Sequence, residues 1–176
     1  MKPKTIKLPL LTLNKECLID EDVLPLVGRY SWYYFYTDGK EYVDGYIKGI
    51  KGNYRKTFIH RLIMNCPKGL EIDHINGNGL DNRRANLRIC THQENLWNRK
   101  SLRNNTSGYH GVHCSNDGQR RKRWTATIRI GNGKRIILGR FFTKEEAALV
   151  YNHAAKKYHG EFATINSIYP AIDKKV

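Results

Sequence analysis

Paired cysteines are missing from this sequence. Cys17, Cys66, Cys90 and Cys114 stand singly, with no CxxC pair and no neighbouring CxxH knuckle. That pattern excludes an evident disulfide framework or structural zinc site and favours free thiols in a reducing cytoplasm. Long apolar runs are missing as well. The stretch 1–23 is too short and too interrupted for a signal peptide, and nothing later approaches the roughly 18 apolar residues of a membrane span. A soluble intracellular chain with no membrane partner is expected. Acids are scarce: Asp and Glu number 16 against 31 Lys and Arg, which leaves a formal charge of +15, with seven His besides. Such an excess favours a polyanionic partner, because neutralising phosphates releases condensed counterions. Charge alone is equally compatible with a solubility surface or a ribosome-associated protein. At 176 residues the chain makes one medium domain or two to three small ones.

Residues 1–66 alternate apolar and polar character in short runs, Ile6 to Leu13, Tyr30 to Tyr36, Tyr42 to Ile47 and Thr57 to Met64, separated by turn signals at Asp38-Gly39 and Gly49 to Asn53. They predict a small antiparallel sheet with a hairpin at Asp38-Gly39. Asp20-Glu21-Asp22 opens a short helix through Val27 that Gly28 ends. The aromatic run Trp32 to Tyr36, with Tyr42 and Tyr46, reads as a packed sheet face in preference to a base-stacking platform. His60 reads as a hydrogen-bonded structural residue before it reads as a ligand, Arg61 is a candidate phosphate contact, and both are counted as candidate DNA-binding residues.

Residues 71–95, EIDHINGNGLDNRRANLRICTHQEN, concentrate the chemistry. Glu71 to Ile75 predicts a strand, Asn76 to Gly79 a loop, and Leu87 to Cys90 a returning strand. Thr91 and Glu94 have capping-box spacing, so a helix starts at about His92 and carries Asn95. Asp73 and His74 are strand neighbours and point to opposite faces unless the strand ends or twists there. With that twist, Asp73 and Asn95 offer a carboxylate and an amide oxygen to a divalent cation, and a neutral His74 outside the metal shell activates water. An inert hairpin is the other reading of this spacing.

The run DHINGNGLDNRRANLRICTHQEN resembles the HNH endonuclease motif in the form found in phage and intron-encoded homing endonucleases. The resemblance implies a ββα-metal fold holding one Mg2+ or Mn2+. In it Asp73 takes the place of the first metal ligand, His74 that of the general base, and Asn95 that of the second metal ligand. Asn86 takes the place of the middle Asn that supports the hairpin and helps orient the histidine. His92 fits a phosphate contact or cap better than a motif position. His60-Arg61 and the Trp32 to Tyr46 strands resemble the N-terminal part of these enzymes. Asn82, Arg83, Arg84 and Arg88 flank the site, with Arg83 and Arg84 read as a solvated charged turn or as phosphate clamps. Arg99, in the expected last turn of the helix, joins them as a DNA contact.

Residues 104–108, NNTSG, break the chain. Beyond them Tyr109 to Cys114, Trp124 to Ile130 and Arg135 to Phe141 predict three strands, with a turn at Gly131-Asn132-Gly133. Thr143 and Glu146 form a second capping box, opening a helix to about His159 that Gly160 closes. Its face of Ala147, Tyr151, Ala154 and Tyr158, with Ala148 and Ala155 beside it, packs on the sheet. The other face collects Arg120, Arg121, Lys122, Arg123, Arg129, Lys134, Arg135 and Arg140, with no acid between Arg120 and Arg140. A basic sheet of this kind can enter the major groove. Trp124 is either core or a sugar contact. Residues 107–166, through motifs including Tyr109-His110-Gly111-Val112, Leu138-Gly139-Arg140-Phe141 and Ala163-Thr164-Ile165-Asn166, resemble the AP2 DNA-binding domain. The resemblance implies base or backbone contacts by Arg129 and Arg135 and a phosphate contact by Tyr151. His110 and His113 stand where plant members have arginines and Ile137 where they have a tryptophan, which implies a different target.

The expected architecture is α+β: a small antiparallel β region (1–66), a ββα-metal motif (67–103), a linker (104–108), a three-stranded antiparallel sheet with one packed helix (109–166), and a tail (167–176). The expected function is a metal-dependent endonuclease of homing or phage-mobile type that nicks or cleaves double-stranded DNA in the cytoplasm of a bacterial or phage-infected cell. No other cofactor is implied, and monomer and homodimer stay open. A non-catalytic, sequence-specific DNA-binding regulator is the competing reading, and an RNA-associated basic protein a third.

Overall fold

The structure, a computed structural model, describes residues 3–48, 54–98, 105–114 and 124–168. The chain divides into two compact units, Met1–Asn95 and Leu96–Val176. Both are α+β.

In the first unit β1 (Thr5–Pro9) and β2 (Glu16–Asp20) form an antiparallel pair. A 3-10 turn, Glu21–Val23, leads into the short α1 (Leu24–Val27), whose first turn takes Pro25 at no hydrogen-bond cost. The strands β3 (Ser31–Thr37), β4 (Lys40–Lys48) and β5 (Tyr54–Phe58) build an antiparallel sheet in that order, turning at Asp38-Gly39 between Thr37 and Lys40. The run expected to stay extended from Thr57 to Met64 does not. Phe58 ends β5, and α2 (Ile59–Ile63) follows, because Ile59 and Ile63, four residues apart, bury one helical stripe. The hairpin of β6 (Glu71–His74) and β7 (Leu87–Cys90) comes next, and then α3 (His92–Trp97) begins. Its capping box forms as the sequence predicts, with Thr91 N donating to Glu94 Oε2 at 2.7 Å and Glu94 N to Thr91 Oγ1 at 3.3 Å.

One core joins these pieces. Ile72 and Leu87 of the hairpin pack with Ile19 of β2, Trp32 of β3, Val43 of β4 and Ile59 of α2, all buried. Trp32 donates through Nε1 to the Val27 carbonyl at 2.9 Å and stacks on Tyr30, so this member of the aromatic run is packing material. Tyr36 and Tyr46 remain exposed. The loop between β6 and β7 is caught on two sides. Leu18 N donates to Leu80 O and Asn82 N to Leu18 O, both at 2.8 Å, which attaches the loop to β2 as a parallel bridge at Asp81. On another side Gly79 lies so close to β4 that a Cβ there would come within 1.8 Å of the Glu41 carbonyl oxygen. Only glycine permits that approach.

In the second unit β8 (Val112–Cys114), β9 (Trp124–Arg129) and β10 (Arg135–Phe141) form an antiparallel sheet with β9 central. The helix α4 (Lys144–His159) starts at a complete Thr143–Glu146 capping box and stops at Gly160, whose φ is 56°. It buries Ala147, Ala148, Tyr151, Ala154 and Ala155 against Val112, Ala126 and Ile128, while Tyr158, expected on this face, is exposed. The buried stripe runs on through Asn152 and His159 instead. Trp97 stacks on His159 with ring centroids 4.4 Å apart. Gly111, at φ +68°, leaves room for Tyr151, whose ring would lie 2.1 Å from a Cβ at that position.

Candidate active site and nucleic-acid interface

Pairing across the hairpin sorts its side chains onto two faces. Glu71 opposes Cys90 and Asp73 opposes Arg88 on one; Ile72 opposes Ile89 and His74 opposes Leu87 on the other. On the first face the buried Asp73 carboxylate accepts from Arg88 through Nε at 2.8 Å and Nη2 at 2.6 Å, both on Oδ2. Two residues along the strand, Glu71 accepts from Asn95 Nδ2 at 2.7 Å and pairs with His92 Nδ1 at 2.7 Å. Burial pushes the Glu71 carboxyl up, but the hydrogen bonds from Asn95 and His92 outweigh it and leave it below the usual range. Asp73 and Asn95 are thus carried to the same side of the hairpin, through Glu71, a residue the sequence did not single out. With Nδ2 engaged by Glu71, the Asn95 amide oxygen points away from that carboxylate.

His74 ends β6 on the core face, 6 % exposed. Its Nε2 lies 3.2 Å from Asn82 Oδ1, and its ring meets His60 edge-on at 5.1 Å and Tyr42 at 6.3 Å. Burial lowers its pKa, and the Asn82 bond with the charges of Asp73 and Asp81 opposes that shift. His60 is buried, stacked on Phe58, and pushed down to about 3 by burial and by His74 and Arg61. It is a packing residue at the back of the His74 ring.

Asn86, which the resemblance makes a support of the hairpin that helps orient the histidine, clamps the loop and accepts from Ile75 N through its carbonyl at 2.9 Å. Its Oδ1 accepts from Asn76 N at 3.0 Å and its Nδ2 donates to the Asp81 carbonyl at 2.8 Å. Asn82, which is fully buried, contacts the His74 ring. Asp81 is buried too, holding Arg83 Nε at 2.7 Å and Asn76 Nδ2 at 3.0 Å, and Arg83 keeps its carboxyl low. Each flanking arginine has an acid: Arg83 on Asp81, Arg84 on Asp22, and Arg88 on Asp73. Arg61 donates to the carbonyls of Leu70, at 2.7 Å, and Pro67, at 3.0 Å, so it braces the turn into β6.

The second unit also sorts its residues by register. Arg129 faces Arg135, Thr127 faces Ile137, and Thr125 faces both Arg140 and His113. These side chains lie on the face away from α4, where His113, Arg129, Arg135, Ile137 and Arg140 are exposed. Trp124 alternates to the other side and packs with Val112, Ala126, Ala147 and Ala148, which decides between its two readings in favour of core. Tyr151 is buried in the same way, and its hydroxyl is raised by burial. His110 is half-buried ahead of β8, its backbone N donating to Asn166 Oδ1 at 2.7 Å. Arg99 and Arg123, with Arg120, Arg121 and Lys122, lie outside the described residues.

Residues 58–96, which hold the hairpin and helix just described, match the HNH endonuclease family. A protein of Acanthamoeba polyphaga mimivirus described as an uncharacterized HNH endonuclease is 34% identical over 150 residues, covering 84% of this chain and 72% of the viral one. The chain belongs to the HNH endonuclease family. Protein 3.8 of Escherichia phage T7 is 37% identical to this HNH endonuclease over 97 residues, 55% of this chain and 76% of the phage protein. Dehydration-responsive element-binding protein 2D of Arabidopsis thaliana is 39% identical over 72 residues, 39% of this chain and 35% of its own, which agrees with the AP2-like resemblance. No solved structure matches significantly. Among the described residues of this HNH endonuclease, no helix is long and apolar enough to cross a membrane.

Proposed function

We propose that this HNH endonuclease hydrolyses phosphodiester bonds in double-stranded DNA with one divalent cation and His74 as general base, and that it is of homing or phage-mobile type, nicking or cleaving a specific site. The observation that carries the reading is the arrangement of the hairpin. Asp73 and Asn95 share one face through Glu71, and His74, the next residue, ends the strand on the opposite face with its ring on Asn82.

HNH nucleases generally use a divalent metal. The donor set fits one: a carboxylate on Asp73 and an amide oxygen on Asn95 are hard ligands of the kind magnesium accepts while keeping waters and a substrate phosphate. Among the described residues no three His, Cys, Asp or Glu side chains gather as a ready metal cluster. A bound cation supplies charge stabilisation at the scissile phosphate and the departing 3′ oxygen.

The chain's own residues do the rest. His74 takes a proton from water as the water oxygen bonds phosphorus and the bond to the 3′ oxygen breaks. Arg83 and Arg84, each with an exposed flank beside its acid partner, are placed to add phosphate contacts. Arg129, Arg135, Arg140 and His113 on the open sheet face choose and hold the duplex.

The test is to incubate duplex DNA with the protein, with and without magnesium, and map new ends. New ends should need the metal. His74→Ala should lose about a hundredfold or more in cutting while binding DNA within about twofold of wild type. A pure His74→Ala preparation cutting as fast as wild type sinks the base assignment.

A further inference from the structure

Two asparagines of the loop lie near the end of β6: Asn86, the middle Asn of the family motif, and Asn82. The Asn86 amide bonds Asn76 N and the Asp81 carbonyl, and its backbone carbonyl accepts from Ile75 N at 2.9 Å, so Asn86 ties the loop to the end of β6. Asn82 has no exposed surface, and its Oδ1 lies 3.2 Å from His74 Nε2.

Asn82 is held so that its amide has one orientation. Its backbone N donates to Leu18 O at 2.8 Å, and its Nδ2 donates to the Gly79 carbonyl at 3.3 Å. Turning the amide over would set Oδ1 against the Gly79 carbonyl, acceptor against acceptor, in a buried site where an unmade hydrogen bond costs about 1–3 kcal/mol. Gly79 cannot move off, since it is wedged against the Glu41 carbonyl of β4. Oδ1 therefore faces the ring, and an amide oxygen pairs only with a ring nitrogen that carries hydrogen.

We infer that Asn82 is a positioning residue that locks neutral His74 in the Nε2–H tautomer and thereby leaves the basic lone pair on Nδ1. The inference rests on the proposed reading of His74 as the base. As Nδ1 gains the proton from water, the ring becomes cationic and the Nε2–H bond to Asn82 strengthens, so the contact favours the transition state over the ground state.

Two-bond 1H–15N correlation spectra of the full-length protein, labelled with 15N-histidine and recorded at a fixed pH where the rings are neutral, read the tautomer directly. The His74 signals are assigned by their loss in His74→Gln. Wild type should show Nε2–H. Asn82→Leu, close in size but without an acceptor, should show a mixture of tautomers and lose at least about tenfold in kcat on supercoiled plasmid DNA with magnesium, with KM within about threefold. Asn82→Asp, which restores an acceptor oxygen, should recover the Nε2–H tautomer and most of the rate. Nδ1–H in wild type overturns the inference, as does an Asn82→Leu protein that keeps both tautomer and rate. If Asn82→Leu does not fold, the wild-type and Asn82→Asp spectra still decide. The two readings fail separately: Nδ1–H with an inactive His74→Ala defeats only the tautomer lock, and Nε2–H with an active His74→Ala defeats only the base assignment.

Discussion

At the scale of single residues, the neighbourhood of His74 is defined by buried polar groups whose protonation is fixed by packing. His60 shows the consequence for stability. Burial holds its folded pKa at about 3, against 6.5 when unfolded. Between those values the unfolded chain binds a proton that the folded chain refuses. Stability is therefore complete above pH 6.5 and falls as the pH drops toward 3, by up to about 1.4 kcal/mol per pH unit. Urea midpoints at pH 7 and pH 5 should show this fall in wild type and a smaller one in His60→Phe, where the ring stack on Phe58 is kept and the titrating group removed. A slope unchanged by that substitution would falsify the assignment to His60. Arg88 gives a metal-linked counterpart. It pairs with a carboxylate whose side chain is 6% exposed and is itself 12% exposed. Arg88→Met should lower metal-free stability by about 3–5 kcal/mol, the usual cost of leaving a buried charge alone. Adding magnesium should raise the melting temperature of Arg88→Met more than that of wild type, because the cation then meets an Asp73 with no competing guanidinium. Equal shifts would argue against Asp73 as a metal ligand.

At the scale of elements, what could be read in the sequence was what local chemistry decides. Both capping boxes, the Asp38-Gly39 turn, the β6–β7 hairpin and the Gly160 stop are written in residues a few positions apart, and each stands where those residues place it. The helix Ile59–Ile63 was lost in a short run of mixed apolar and polar residues, since five residues carry too few turns to separate a helical period from a strand one. The parts of the candidate site supplied by tertiary contact were not legible. Nothing local marks Glu71 as the holder of His92 and Asn95, or Asn82 rather than Asn86 as the neighbour of His74, because these depend on how the loop lies against β2 and β4. Trp124 illustrates the same limit from the other unit: its two readings part only when register fixes which face even-numbered residues of β9 take. The loop's seat on β4 is open to test. Gly79→Ala forces a Cβ toward the Glu41 carbonyl and should cost about 1–3 kcal/mol in urea unfolding, with a larger relative loss of cutting because the loop carries Asn82. Gly131→Ala, where a Cβ meets nothing within 4 Å, is the matched control and should stay within about 0.5 kcal/mol of wild type.

At the scale of the whole molecule, the charge of +15 is arranged at a cost to the fold, and that cost is itself diagnostic. Arg129 and Arg135 stand directly opposite each other on the central and outer strands of the open sheet face, both exposed. Like charges in that position destabilise a ladder by about 0.2–1 kcal/mol, whereas a threonine in place of one of them suits the strand. A sheet built only for stability has no use for the pair; a polyanion lying across the face cancels the repulsion. Arg135→Thr should therefore raise the melting temperature of the free protein or leave it unchanged, and at the same time weaken binding to duplex DNA. If Arg135 meets a phosphate, the slope of log affinity against log salt should fall by about one unit for the single lost contact, uniformly across sequences. If it reads a base edge, affinity should fall on the preferred duplex by about 1–3 kcal/mol while binding to unrelated duplexes changes little. Titrations of both duplexes at three salt concentrations separate the two roles. A variant that binds both as wild type does, at every salt concentration, removes this face from the DNA interface.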